Sequence, residues 1–202
     1  FKKIDGMWAI ALYDKRAGKI FLSRDPAGIR PLYYYTKGTN FAFASEIGAL
    51  ARALPQDALT MSGAAMRTYL THGYIYGADT IYREITSVPP ATTLTISLSD
   101  LSTTSEIYFA PQRYASQKTL GEAVDAFEKL FADSVRATLL ADVPVGLFLS
   151  GGIDSSLVGY QVKQAGATMK AFTLGFDEQG FDESGDAACI AKHLGFPLET
   201  VI

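Results

Sequence analysis

The sequence predicts a chain that changes structural class part-way along, α+β over residues 1–115 and then α/β with a parallel sheet over residues 116–202. Three observations carry this. The first third repeats short apolar runs separated by turn residues. From Thr119 onward apolar residues recur at helical spacing. Beyond Val143 strand-like and helical segments alternate with short connections, the pattern of right-handed parallel crossovers.

The runs GMWAIALY, KIFLS, PLYYY and FAFAS read as strands. The intervening DKRAG, RDPAGIR and TKGTN supply the Gly, Pro, Asp and Asn of turns, so a meander is expected. GMWAIALY is apolar at both alternating sets of positions, and its sheet is expected to be covered on both faces. Next come a helix over SGAAMRTYLTHG, an irregular YIYGADTIYREI, and two alternating runs, TTLTISL and SEIYF, expected to pair around SLSDLSTTS. APQRYASQK is the linker candidate, which puts the domain boundary near residue 115.

Leu120, Val124, Phe127, Phe131, Val135 and Leu139 share one helical face, and Thr119 with Glu122 is a capping-box signature. That helix should end before Val143-Pro144. VGLFLS then reads as a strand, DSSLVGYQVKQAG as a helix, and MKAFTLGF as a strand. DESGDAACIAKHLG reads as a helix with acids at its start, Lys192 and His193 in its last turn, and Gly195 as its stop.

Composition narrows the function. The chain of 202 residues is 48 % hydrophobic and 19 % charged, with a net charge of −3, so it carries no basic footprint for nucleic acid. No apolar run reaches the length of a membrane span and no signal-peptide pattern is present, from which a soluble cytoplasmic protein is expected. A lone Cys189 excludes an internal disulfide, and with only His72 and His193 beside it the chain has no zinc spacing, so any metal should take oxygen ligands.

The chemistry-bearing stretch is LFLSGGIDSS, residues 147–156. Two glycines at the exit of an apolar strand cost backbone entropy and suggest close approach of something to the backbone. A strand-to-helix turn aims free N–H groups and the positive helix end at one point, a seat for phosphate, with Ser150 and Ser155 as hydroxyl donors. Asp154 either caps the following helix or carries magnesium together with substrate phosphates. No Lys-Ser or Lys-Thr follows the glycines, so this is not a Walker loop. A tight turn with an Asp cap and no ligand explains the bare motif equally well.

In its context, VPVGLFLSGGIDSSLV resembles the pyrophosphate loop of the ATP pyrophosphatase superfamily, in the form found in glutamine-hydrolysing asparagine synthetases. DGMWAIALYD, RDPAGIRPLYY and FASEIGAL resemble the later strands of the class II glutaminase domain of those enzymes. YLTHGYIYGADTIYREI and AFTLGFDEQGFDESGDAACIAKHLG extend the similarity to nearly the whole chain. The resemblance implies the C-terminal part of an αββα glutaminase sandwich, followed by the start of an adenine nucleotide alpha hydrolase-like domain. It implies glutamine, aspartate and ATP as substrates, with Mg2+: the aspartate side chain is adenylated, and ammonia from glutamine displaces AMP. The loop role falls on Ser150, Gly151, Gly152, Asp154 and Ser155, with the backbone of Leu149 and Leu174 beside the adenosine. A homodimer stays open. So do a relative acting on another carboxylate, as in β-lactam-forming synthetases, and a non-catalytic nucleotide-binding remnant.

The family's glutaminase nucleophile is an N-terminal cysteine, whereas this chain opens on Phe1; both ends are read as cuts, and no catalytic residue is assigned here. Cys189 is expected to be a buried core thiol. Arg24, Asp25, Gly28 and Pro31 are expected to form a rigid scaffold turn, in which a local Arg24–Asp25 ion pair is one option, and Glu46 to support a helix start. Asp182 and Glu183 are read as compensating a helix dipole, His72 as a loop polar group and His193 as a helix-end cation.

Overall fold

A computed structural model describes residues 1–112, 119–178, 180 and 182–202. The chain forms two compact units, Phe1–Tyr114 and Ala115–Ile202. The boundary expected near residue 115 and most of APQRYASQK lie outside the described residues.

In the first unit β1 (Ala9–Asp14) and β2 (Lys19–Arg24) form a hairpin. Asp14 closes it by accepting the N–H groups of Arg16 and Ala17, as Asp does in turns. β3 (Tyr33–Lys37) and β4 (Asn40–Ala44) follow, then α1 (Ile47–Ala53), a 3-10 turn at Gln56–Ala58 and α2 (Gly63–His72). Ser62 caps α2 at Ala65 N–H, and Gly73 ends it in the left-handed region, φ 78°. β5 (Ile85–Ser87), β6 (Thr92–Ser97) and β7 (Thr103–Ile107) complete the unit. TTLTISL and SEIYF pair as expected, as β6 with β7.

The expected meander does not form. The strands divide between two antiparallel sheets, ordered β1-β2-β6-β7 and β4-β3-β5, because the turn after β2 sends the chain into the second sheet. Leu22, Leu32, Val88, Leu94 and Ile96 make one buried cluster, and Tyr35, Leu50 and Ile85 another. β1 is also not covered on both faces. It is an edge strand, and Leu12 and Tyr13 at its far end stay more than half exposed.

The second unit holds α3 (Leu120–Thr138), β8 (Gly146–Phe148), α4 (Ile153–Gln164), β9 (Lys170–Leu174), α5 (Ser184–Leu194) and β10 (Leu198–Val201). The strands pair in parallel in the order β10-β9-β8, with α4 and α5 as the crossovers. The Thr119–Glu122 capping box is formed in full. The apolar face of α3 is only partly used: Val135 is buried and Phe131 and Leu139 pack beside it, while Leu120, Val124 and Phe127 remain exposed. Length explains this within the unit. A helix of 19 residues spans about 28 Å, and strands of three to five residues only about 10–17 Å. Among the described residues no helix is long and apolar enough to cross a membrane.

Candidate functional site

The site is built where β8 hands over to α4. Leu149, only 2 % exposed, donates its N–H to Phe172 O and so extends the pairing one residue past β8. That anchor delivers Ser150 to the carboxyl edge of the parallel sheet, the edge where such sheets bind ligands. Gly152 then takes the N-cap position with no side chain capping the helix. Asp154 therefore does not cap α4, contrary to one of its two expected roles: the helix starts one residue before it, and its exposed carboxylate sits in the first turn.

The loop is laced by its own hydroxyls. Ser155 Oγ accepts from Ser150 N–H at 3.2 Å and shares a 2.9 Å hydrogen bond with Ser150 Oγ. Ser150 Oγ accepts from Gly152 N–H, and Ser156 Oγ donates to Gly152 O at 2.6 Å. Gly151 N–H points at Glu183 Oε2, 3.3 Å away. Gly151 is required for a packing reason: a Cβ there would lie 2.8 Å from Asp186 Cβ on α5.

Beside the loop an open cleft of about 490 Å³ is lined by Phe148, Leu149, Ser150, Phe172, Thr173, Leu174, Phe176 and Glu183. Phe148 and Phe172 tilt toward each other at 6.5 Å, and Leu174 is 60 % exposed at the end of β9. The structure thus brings Leu149, Ser150 and Leu174 into one cleft, with Gly151, Gly152, Asp154 and Ser155 on the adjoining turn. Glu183 joins them, which sequence reasoning missed; at a helix start its acid pair reads as dipole compensation, and only the crossover brings it back to Gly151. Its neighbour Asp182 is occupied locally, where the Ser184 hydroxyl and N–H hold its carboxyl below the ordinary value.

Among the described residues no three His, Cys, Asp or Glu side chains gather as a metal cluster. Magnesium typically binds through one or two carboxylates plus substrate phosphates, and the exposed Asp154 carboxylate in the first turn of α4 is a donor of that kind.

Other expectations change. Cys189 is exposed, not buried. It lies on the outer side of α5 in a groove shared with Tyr160 and His193, while Ala187 and Ala191 take the core positions. Arg24 and Asp25 do not pair with each other. Arg24 donates to the carbonyls of Gly28, Arg30 and Val88 and to Ser87 Oγ. Asp25, 1 % exposed, accepts from the N–H groups of Ala27, Ile29 and Arg30. Glu46 occupies the N-cap position of α1 without a capping bond. His72 packs edge-on to Tyr76 at 5.9 Å.

Two domain families match in succession. Residues 1–109 match the glutamine amidotransferase domain family, and residues 126–202 match the asparagine synthase family. The chain belongs to the glutamine-hydrolysing asparagine synthetase family. It is 34 % identical over 193 residues to Asparagine synthetase [glutamine-hydrolyzing] 1 of Bacillus subtilis, covering 96 % of this chain and 30 % of that protein. It is 32 % identical over 186 residues to Putative asparagine synthetase [glutamine-hydrolyzing] 2 of Methanocaldococcus jannaschii, covering 91 % and 36 %. It is 30 % identical over 204 residues to Putative asparagine synthetase [glutamine-hydrolyzing] of Mycobacterium bovis, covering 96 % and 30 %. The chain thus spans about a third of the length of these relatives.

Proposed function

We propose that this chain carries the phosphate and adenosine subsites of an ATP-dependent asparagine synthetase, joined through the segment near residue 115 to part of a glutaminase domain. The observation that supports it best is the loop Ser150–Gly152, whose N–H groups head α4 at the carboxyl edge of a parallel sheet, beside an apolar cleft. ATP would lay its adenosine against Leu149 and Leu174 and its β- and γ-phosphates on the loop.

The chemistry asked of these residues is electrostatic. An aspartate side-chain oxygen bonds to the α-phosphorus, the bond to the bridging oxygen breaks, and pyrophosphate leaves with the electron pair. The N–H groups of Ser150, Gly151 and Gly152 and the positive end of α4 hold that growing negative charge. The Ser155 and Ser150 hydroxyls, which accept the Ser150 and Gly152 N–H groups from within, can rotate to donate to phosphate. Magnesium held by Asp154 would add further charge neutralisation. Ammonia drawn from glutamine then attacks the acyl carbon and AMP departs.

The test is aspartate-dependent release of pyrophosphate from ATP by the intact protein that carries this chain. Release with aspartate, and asparagine formed when glutamine is added, is the expected result. Release driven by another carboxylate would reassign the acceptor, and no release with any carboxylate would overturn the synthetase reading.

A further inference from the structure

Glu183 stands at the N-cap of α5, where a side chain ordinarily accepts an N–H of its own helix. Its carboxylate makes no such bond and instead reaches across to Gly151 N–H on the other crossover. The local capping work falls to Asp182, which takes Ser184 N–H and Oγ. Glu183 is also the charged side chain in the lining of the cleft, among aromatic and aliphatic neighbours. Asp186, one turn on, packs directly on Gly151, so the start of α5 is pressed against the loop.

A carboxylate oxygen on a loop N–H is the same interaction a phosphate oxygen would make there. We propose that Glu183 is an internal competitor for the phosphate seat: polyphosphate and the Glu183 carboxylate contend for Gly151 N–H, and nucleotide binding requires Glu183 to swing away. This rests on the reading of the loop as an ATP site. Two consequences follow. The seat discriminates against simple anions, which meet a negative charge already in place. It favours a polyphosphate brought with a divalent cation, which offsets the repulsion and gives the displaced carboxylate a partner.

The experiment uses the intact protein and its Glu183→Ala, Glu183→Gln and Asp182→Ala variants, titrated calorimetrically with inorganic pyrophosphate, with adenosine and with magnesium-ATP. Glu183 is exposed, so its variants should fold, and circular dichroism checks this. Removing one screened charge from the seat is expected to tighten pyrophosphate binding about five- to tenfold in Glu183→Ala. Glu183→Gln, which keeps an acceptor oxygen but not the charge, should tighten it less. Adenosine, which shares the cleft that Glu183 lines but brings no charge to the loop, should change less than pyrophosphate in these variants, and Asp182→Ala should stay within about twofold for pyrophosphate. Unchanged or weakened pyrophosphate binding in both Glu183 variants, with magnesium-ATP still bound by the native protein, overturns the competitor role and leaves the ATP site standing. Failure of the native protein to bind magnesium-ATP overturns both. Should Glu183→Ala fail to fold, Glu183→Gln decides alone.

Discussion

The turn at residues 24–31 and the loop at residues 150–156 both present backbone N–H groups to a carboxylate, and they differ in what surrounds the carboxylate. At residues 24–31 the acid is Asp25, 1 % exposed, taking N–H groups from Ala27, Ile29 and Arg30 while its own carbonyl accepts from Gly28 and Ala91. At residues 150–156 the acid is Glu183, exposed and holding one N–H at 3.3 Å, and the other loop donors rest on hydroxyls that can rotate. The first arrangement is a rivet, because three hydrogen bonds of 2.9–3.1 Å to a buried charge leave those N–H groups closed to a ligand. The second can exchange partners, and exchange is what a binding loop needs. Burial, more than motif chemistry, separates scaffold from site here.

The largest effect should come from breaking the rivet. Asp25→Ala leaves three part-buried N–H groups without an acceptor and is expected to cost about 3 kcal/mol or more. Trp8, the single tryptophan and buried in this unit, gives the fluorescence signal for a denaturant titration. Loss of under about 1 kcal/mol would reduce Asp25 to an ordinary turn residue.

Gly28→Ala comes next. Its φ of 66° disfavours a side chain, and an added Cβ would lie 2.8 Å from Pro90 Cγ, so a cost of about 2 kcal/mol is expected by the same titration.

A pH series sharpens the contrast. Burial pushes the Asp25 carboxyl upward, but the N–H groups of Arg30, Ile29, Trp8 and Ala27 together outweigh it and hold the group below its ordinary value of 3.8. A carboxyl depressed by folding contributes stability that is present above its unfolded value and lost as pH falls through the folded one. Stability of the first unit should therefore fall below about pH 4, and Asp25→Asn should flatten that acid limb. An unchanged limb in Asp25→Asn would show that other carboxyls govern it.

The smallest effect on stability should be at the other loop. Asp154 caps nothing, so Asp154→Ala should shift stability by less than about 0.5 kcal/mol while aspartate-dependent pyrophosphate release from the intact protein is lost. Retained release would remove Asp154 from the site.

Much of this arrangement was readable from residue pattern. Turn chemistry marked β1 to β4 within a few residues, the shift to helical spacing marked α3, and the strand–helix alternation marked the parallel sheet. What escaped depended on contacts distant in sequence. Division into two sheets depends on β6 pairing with β2 across some 70 residues, as in Leu22 opposite Leu94, which no local period encodes. Cys189 looked buried because its neighbours are small and apolar, yet Ala187 and Ala191 already fill the core-facing positions of that helix. The glycine loop was legible as a motif, but the crossover that returns Glu183 to Gly151 was not.

Amide hydrogen exchange on the intact protein, with and without magnesium-ATP, tests most directly whether the exposed loop is the exchangeable one. The account predicts new protection at the amides of Ser150–Ser156 and Leu174–Phe176, and no change at Asp25–Arg30. No protection at the glycine loop under saturating magnesium-ATP, or protection that appears at Asp25–Arg30 instead, would contradict it.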